Sequence, residues 1–130
     1  MNCQKINVFL ILLCLTTLSA WAQNGPTNLH PRQAAQWLET DKKVVVLDVR
    51  TPDEYKEGHL KGALNVDYLA RDFEQQLARL DKTKPYLVHC ASGGRSSETL
   101  PLLQKLGFKN VRHLEGGLEA WQKVGLAVVK

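Results

Sequence analysis

Hydrophobic positions along the chain alternate between two periods. Val44-Val45-Val46-Leu47-Asp48-Val49 is a continuous, β-branched apolar run, the pattern of a strand buried on both faces of a parallel sheet. Tyr86-Leu87-Val88-His89, Val111-Arg112-His113-Leu114 and Ala63 to Val66 read as three shorter strands, and Thr27 to Leu29 adds a fifth at an edge. Between them the spacing turns helical. Ala34, Trp37 and Leu38 share one face behind Pro31, well placed at a first helical position. Leu69, Phe73, Leu77 and Leu80 recur at four, four and three, and Leu100, Leu103 and Leu106 recur at three up to Gly107 as a C′ residue. Leu118 and Trp121 face together before Gly125. Strict alternation of strand and helix predicts an α/β domain built on an open parallel sheet with helices on both faces, and assigns these leucines and tryptophans to the core.

The first residues do not belong to that pattern. Lys5, the apolar stretch Ile6 to Leu18 and the small-x-small Ala20-Trp21-Ala22 read as a signal peptide cleaved after Ala22. The apolar stretch is shorter than the roughly 20 residues of a membrane span, and no later segment approaches that length. Residues 23–27 then form a short linker and 28–130 a single domain, with no internal repeat. The protein is therefore expected to be exported, to the periplasm of a Gram-negative source and otherwise to the medium. A lipoprotein would need a cysteine just past the apolar stretch, whereas Cys3 precedes it and Cys14 lies within it.

Composition, at 44% hydrophobic and 23% charged residues, is that of an ordinary soluble protein and names no function. Charge and cysteine usage exclude more. Without Lys5 the mature chain carries 16 basic and 13 acidic residues, a net +3 spread evenly, so nucleic-acid binding has no support. Cleavage also removes Cys3 and Cys14 and leaves one thiol, Cys90, which rules out an internal disulfide and a multi-cysteine zinc site.

Cys90 sits in His89-Cys90-Ala91-Ser92-Gly93-Gly94-Arg95-Ser96-Ser97-Glu98, directly after a buried strand. In open parallel sheets, ligands bind beyond the carboxyl ends of the strands. Gly93 and Gly94 permit positive φ, so successive amides can converge on one anion, and the helix that follows adds its N-terminal partial charge. Arg95 adds a cation. Each favours thiolate over thiol, so the Cys90 pKa is expected below that of a free cysteine. Ser96 or Ser97 is expected to cap the helix, with Pro101 in or just past its first turn. A Cys-x-x-Cys redox pair is absent, and so is the Gly-Lys-Ser/Thr of a P-loop. A Cys-His hydrolase would need a base, but His30, His59, His89 and His113 cannot be ranked for that role; His89, adjacent on a strand, points to the opposite side. A phosphatase-like cysteine loop and a sulfur-carrying loop both remain.

Five blocks in order carry a resemblance: Asp48-Val49-Arg50, Asp53-Glu54-Tyr55, Gly58-His59-Leu60-Lys61-Gly62-Ala63-Leu64-Asn65, Cys90 to Ser96, and Glu115-Gly116-Gly117-Leu118-Glu119-Ala120-Trp121. Together they resemble the rhodanese domains, from about Asn28 to Val124. The resemblance implies a five-stranded parallel sheet flanked by helices and a catalytic cysteine, Cys90, that carries sulfane sulfur as a persulfide. Ala91, Ser92, Gly93, Gly94, Arg95 and Ser96 are then the substrate-binding loop, with their amides as a cradle. Arg95 orients an anionic donor, and Arg50 is a second candidate for touching it. Asp48 holds Arg50 or nearby backbone, while Gly58, Gly62, Ala63, Gly116, Gly117 and His59 are structural, His59 bonding to loop backbone. Phosphatases on this fold have five residues between cysteine and arginine; here there are four, which favours sulfur over phosphate.

The expected activity is sulfur transfer from thiosulfate or a persulfide to a thiol or cyanide, with no cofactor and no metal. The partners are a small-molecule donor and acceptor, a protein acceptor being a further option. A non-catalytic rhodanese-like sulfur carrier, sensor or binding module is the alternative, and a cysteine phosphatase or arsenate reductase the weaker one.

Overall fold

The computed structural model describes residues 27–130, so the leader read in residues 1–22 and the linker residues 23–26 lie outside the described residues. The chain runs β1 (Thr27–Leu29), α1 (Pro31–Thr40), β2 (Val45–Asp48), α2 (Pro52–Glu57), β3 (Leu64–Asn65), α3 (Phe73–Ala78), β4 (Tyr86–His89), α4 (Gly94–Lys105), β5 (Val111–Leu114) and α5 (Gly117–Lys123). All five strands are parallel, in the order β1-β5-β4-β2-β3. Thr27 therefore belongs to an edge strand rather than to the linker.

β4 occupies the centre, buried at every residue. Its alternate side chains feed two layers, as the strand period requires. Leu87, with Val46, Leu29 and Leu114, packs on Ala34 of α1 and on Leu118 and Trp121 of α5. Tyr86, Val88 and Cys90, with Leu47 and Val49, pack on Phe73 and Leu77 of α3 and Leu103 of α4. Of the helical positions read as core, Ala34, Phe73, Leu77, Leu103, Leu118 and Trp121 are buried, Trp37, Leu38, Leu80, Leu100 and Leu106 pack half-buried against them, and one is not core. Leu69 is 67% exposed and precedes α3. Asp67 accepts the Leu69 amide through its carboxylate, and the Asp67 and Ala70 carbonyls take the amides of Ala70 and Phe73. Two successive tight turns consume the backbone groups that a longer helix would need.

Two other differences bear on the site. β3 shrinks to two residues where four were expected, and the Asn65 side chain bonds the carbonyls of Asp48 and Arg50 beyond the end of β2. α4 begins at Gly94, inside the cysteine loop, so Pro101 falls within the helix rather than near its first turn. Ser96 and Ser97 do not cap it: both hydroxyls lie within the first turn, Ser97 donating to the Gly93 carbonyl at 2.6 Å and Ser96 lying 3.2 Å from it.

Candidate active site

β4 delivers Cys90 to the carboxyl edge of the sheet, and α4 starts four residues later. The turn between them depends on Gly93, the N-cap of α4, whose φ of 111° lies where a side chain is strained. The Gly93 amide donates to Cys90 Sγ at 3.1 Å, and the Ser96 hydroxyl lies 3.3 Å from it. Cys90 is only 1% exposed. Burial, the largest single influence, pushes its thiol up. The Ser96 hydroxyl and the amides of Ser96, Gly93 and Ser92 together outweigh it, so the thiol pKa lies below its ordinary value. Of the expected amide cradle, the Gly93 amide bonds the sulfur directly, and the Ser92 and Ser96 amides add to the field that lowers its pKa.

A second element fixes the loop from behind. The Leu118 and Glu119 amides, in the first turn of α5, donate to the carbonyls of Cys90 (2.9 Å) and Ala91 (3.0 Å). This approach requires glycine at 117, where a Cβ would stand 2.5 Å from the Ala91 carbonyl oxygen. The His89 ring, on the opposite face from Cys90, also donates from Nδ1 to the Cys90 carbonyl at 2.9 Å, since a carbonyl can only accept. That leaves Nε2 as a bare lone pair, fully buried and 3.6 Å from Asp48 Oδ2. Burial holds the His89 pKa below its ordinary value.

The arginines behave differently from each other and from expectation. Arg50, 5% exposed, donates from Nε and Nη2 to the Asp48 carboxylate, from Nη2 to the Gly58 carbonyl and from Nη1 to the Glu54 carbonyl. Asp48 also accepts the Arg50 amide, so it holds both the side chain and the backbone. Of the five N–H groups of a guanidinium, one is left for any other partner. Arg50 borders a cleft of about 270 Å³ with Glu54, Glu57, Ala91, Glu119 and Gln122, but as a brace. Arg95 stands at the loop's end, partly exposed, and forks onto Glu54 with two bonds of 2.8 Å.

In the sequence, Glu54 stands out only as a member of the Asp53-Glu54-Tyr55 block. Thr51 and Glu54 form a capping box that starts α2: the Thr51 hydroxyl accepts the Glu54 amide, and the Glu54 carboxylate accepts the Thr51 amide. That spacing is visible in the sequence; its meeting with Arg95, 41 residues away, is not. The Arg95 guanidinium, with help from Thr51, holds the Glu54 pKa down at about 2. His59 lies outside the site, stacked on the Tyr55 ring at 3.7 Å with Nδ1 bonded to the Tyr55 carbonyl.

His113 is one of the four histidines that sequence cannot rank. It lies on β5, with Nδ1 3.1 Å from Asn28 Oδ1 and Nε2 2.7 Å from the Ser96 hydroxyl that touches the sulfur. Among the described residues, no group of three or more His, Cys, Asp or Glu side chains is arranged to hold a metal ion.

The rhodanese-like domain family model matches residues 30–124. The chain belongs to the rhodanese-like family. It is 41% identical over 90 residues to thiosulfate sulfurtransferase 16 of Arabidopsis thaliana, covering 62% of this chain and 75% of that one. It is 37% identical over 85 residues to the thiosulfate sulfurtransferase GlpE of Coxiella burnetii, covering 65% and 78%. Against the probable adenylyltransferase/sulfurtransferase MoeZ of Mycobacterium tuberculosis it is 34% identical over 105 residues, 81% of this chain, but spans only 26% of that protein. Among solved structures, a rhodanese-related protein from Thermoplasma volcanium superposes with a TM-score of 0.70 at 29% identity, covering 79% of this chain and 97% of that one. The rhodanese-like sheet, five parallel strands with helices on both faces, is therefore the fold of this chain.

Two outcomes follow from the geometry. Gly117→Ala should lower the unfolding free energy by at least ~1–3 kcal/mol and raise the Cys90 pKa; denaturant titration and the pH dependence of alkylation check both. Unfolded, His89 takes up a proton below about pH 6.5, its ordinary value, which the folded chain refuses until lower pH. Stability should therefore fall as pH drops through that window, and His89→Gln should flatten the fall in a pH series of melting curves.

Proposed function

We propose that the protein is a sulfurtransferase that carries sulfur on Cys90 as a persulfide. The observation that carries this reading is the pairing of a thiol lowered in pKa with a loop of only four residues between Cys90 and Arg95, the cysteine almost fully buried with the Gly93 amide and the Ser96 hydroxyl on its sulfur. One additional sulfur atom fits such a ring, whereas a phosphate with three oxygens to satisfy calls for a wider one. The Cys90 thiolate attacks the outer sulfur of the donor; that sulfur's bond to the donor breaks, and the donor departs with the electron pair. With thiosulfate the products are the Cys90 persulfide anion and sulfite, so atoms and charge balance without an oxidant. A thiolate or cyanide then attacks the outer sulfur and returns Cys90 as thiolate, a ping-pong cycle. With a leader in residues 1–22, this chemistry takes place outside the cytoplasm.

Charge at the mouth bears on the donor. Glu54 already neutralises Arg95, and Glu57 and Glu119 border the adjoining cleft. A dianion such as thiosulfate meets less net attraction there than Arg95 alone would give, which favours a donor of lower negative charge, such as cysteine persulfide. A non-catalytic binding module would not require the Cys90, Arg95 and amide set kept here in full.

Incubation with thiosulfate or glutathione persulfide should add ~32 Da, one sulfur atom, to wild type and none to Cys90→Ser; no gain from either donor would sink the proposal, and a gain that neither cyanide nor thiols discharge would leave a carrier. Glu54→Gln should free Arg95 and raise kcat/KM for thiosulfate several-fold, on the order of 1 kcal/mol, with a smaller rise for cysteine persulfide, a monoanion. Steady-state kinetics with both donors check this, and an equal change for the two would reject the charge argument.

A further inference from the structure

Ser96 is fully buried and its hydroxyl has one proton but three neighbours: Cys90 Sγ at 3.3 Å, the Gly93 carbonyl at 3.2 Å and His113 Nε2 at 2.7 Å. The state of His113 decides where that proton points. Asn28 Oδ1 only accepts, so His113 Nδ1 carries a hydrogen and, in the neutral ring, Nε2 offers a lone pair. The Ser96 proton then turns to Nε2, and the sulfur faces a hydroxyl oxygen to which S–H can donate. If Nε2 is protonated instead, it donates to Ser96 Oγ and the hydroxyl proton is free to point at a thiolate.

We propose that His113, acting through Ser96, is the proton partner of Cys90, and that thiol and imidazole titrate as a coupled pair across the single hydroxyl. The Cys90 proton passes to Ser96 Oγ while the Ser96 proton passes to His113 Nε2. The products are a thiolate and an imidazolium; no bond between heavy atoms changes and no electron is transferred. His113 is a positioning residue, since it touches the sulfur only through Ser96. The groups facing it are Asn28 on β1, His89 on β4, Ser96 on α4 and Glu115 just past β5, with Arg95 beyond the sulfur. Burial and the neighbouring His89 oppose a charge on the ring, and Glu115 favours it. A thiolate one hydroxyl away supplies the further compensation. The same hydroxyl proton would stabilise Cys90 as the leaving group when an acceptor removes its sulfur, and in that step the inference rests on the sulfurtransferase reading.

The test is the pH dependence of iodoacetamide alkylation of the full chain, followed by mass on the peptide that contains Cys90. His113→Gln keeps an amide against Ser96 but cannot take a proton. It should raise the Cys90 inflection by about one pKa unit and slow alkylation roughly tenfold at a pH below both inflections, and Ser96→Ala should do the same. In the reciprocal measurement, the His113 Cε1 proton followed by NMR should titrate at lower pH in Cys90→Ala than in wild type. An alkylation profile of folded His113→Gln that superimposes on wild type overturns the proposal, as does a His113 midpoint indifferent to Cys90→Ala; the second decides alone if His113→Gln does not fold. Coupled titration in a protein that gains no sulfur would retain the relay and reject sulfur transfer, and sulfur gain with independent titrations would do the reverse.

Discussion

Two backbone hydrogen bonds, from the Leu118 and Glu119 amides to the carbonyls of Cys90 and Ala91, tie the end of the central strand to the start of the last helix. Past His89, β4 has no neighbour in the ladder to receive those carbonyls, and buried carbonyls without partners are costly. α5 supplies the donors, and only a glycine at 117 lets it come close enough. With its carbonyls turned back toward α5, the loop can turn amides of its other half inward to the sulfur. The cradle is thus a division of labour within one loop: carbonyls to α5, amides to Cys90.

Charged groups around the loop are arranged by the same logic of complete satisfaction. Asp48, at the end of β2, takes the Arg50 side chain and amide, and Arg50 in turn binds carbonyls at Glu54 and Gly58. A buried ion pair of this kind adds little net stability over apolar packing, but losing one partner is expensive. It therefore acts as a brace that fixes α2 against the sheet. α2 then presents Glu54 to Arg95 at a defined angle, so a pairing in the core sets the electrostatics of the mouth.

Much of this was legible in the residues. The β-branched run at Val44 to Val49, the short runs ending at His89 and Leu114, and the helical spacing behind Pro31 gave the sheet and its layers, because burial on two faces and on one face leave different periods. Cys90 was legible through its glycines and its place after a strand. The boundary of α4 was not: serines usually cap, yet here Gly93 in the left-handed region starts the helix earlier, and the backbone geometry that decides this leaves no trace in Gly-Gly. The Thr51 and Glu54 capping box was present in the sequence but carried no hint of its partner. Arg50, from its motif a second candidate for touching substrate, has four of its five N–H groups engaged by acceptors at the end of β2, in α2 and just past α2.

By itself the sequence determined the layered α/β architecture, the place of Cys90 after a buried strand and the four-residue spacing to Arg95, since periodicity and local loop chemistry are properties of neighbouring residues. Only the tertiary structure decided that Arg95 is shared with Glu54 and that His113 stands behind Ser96. Those pairs join residues 41 and 17 positions apart, and no local pattern encodes which of four histidines a parallel crossover will bring to the sulfur. β4 and β5 lie side by side in register, Val88 against His113, and that pairing sets the histidine two residues behind the cysteine.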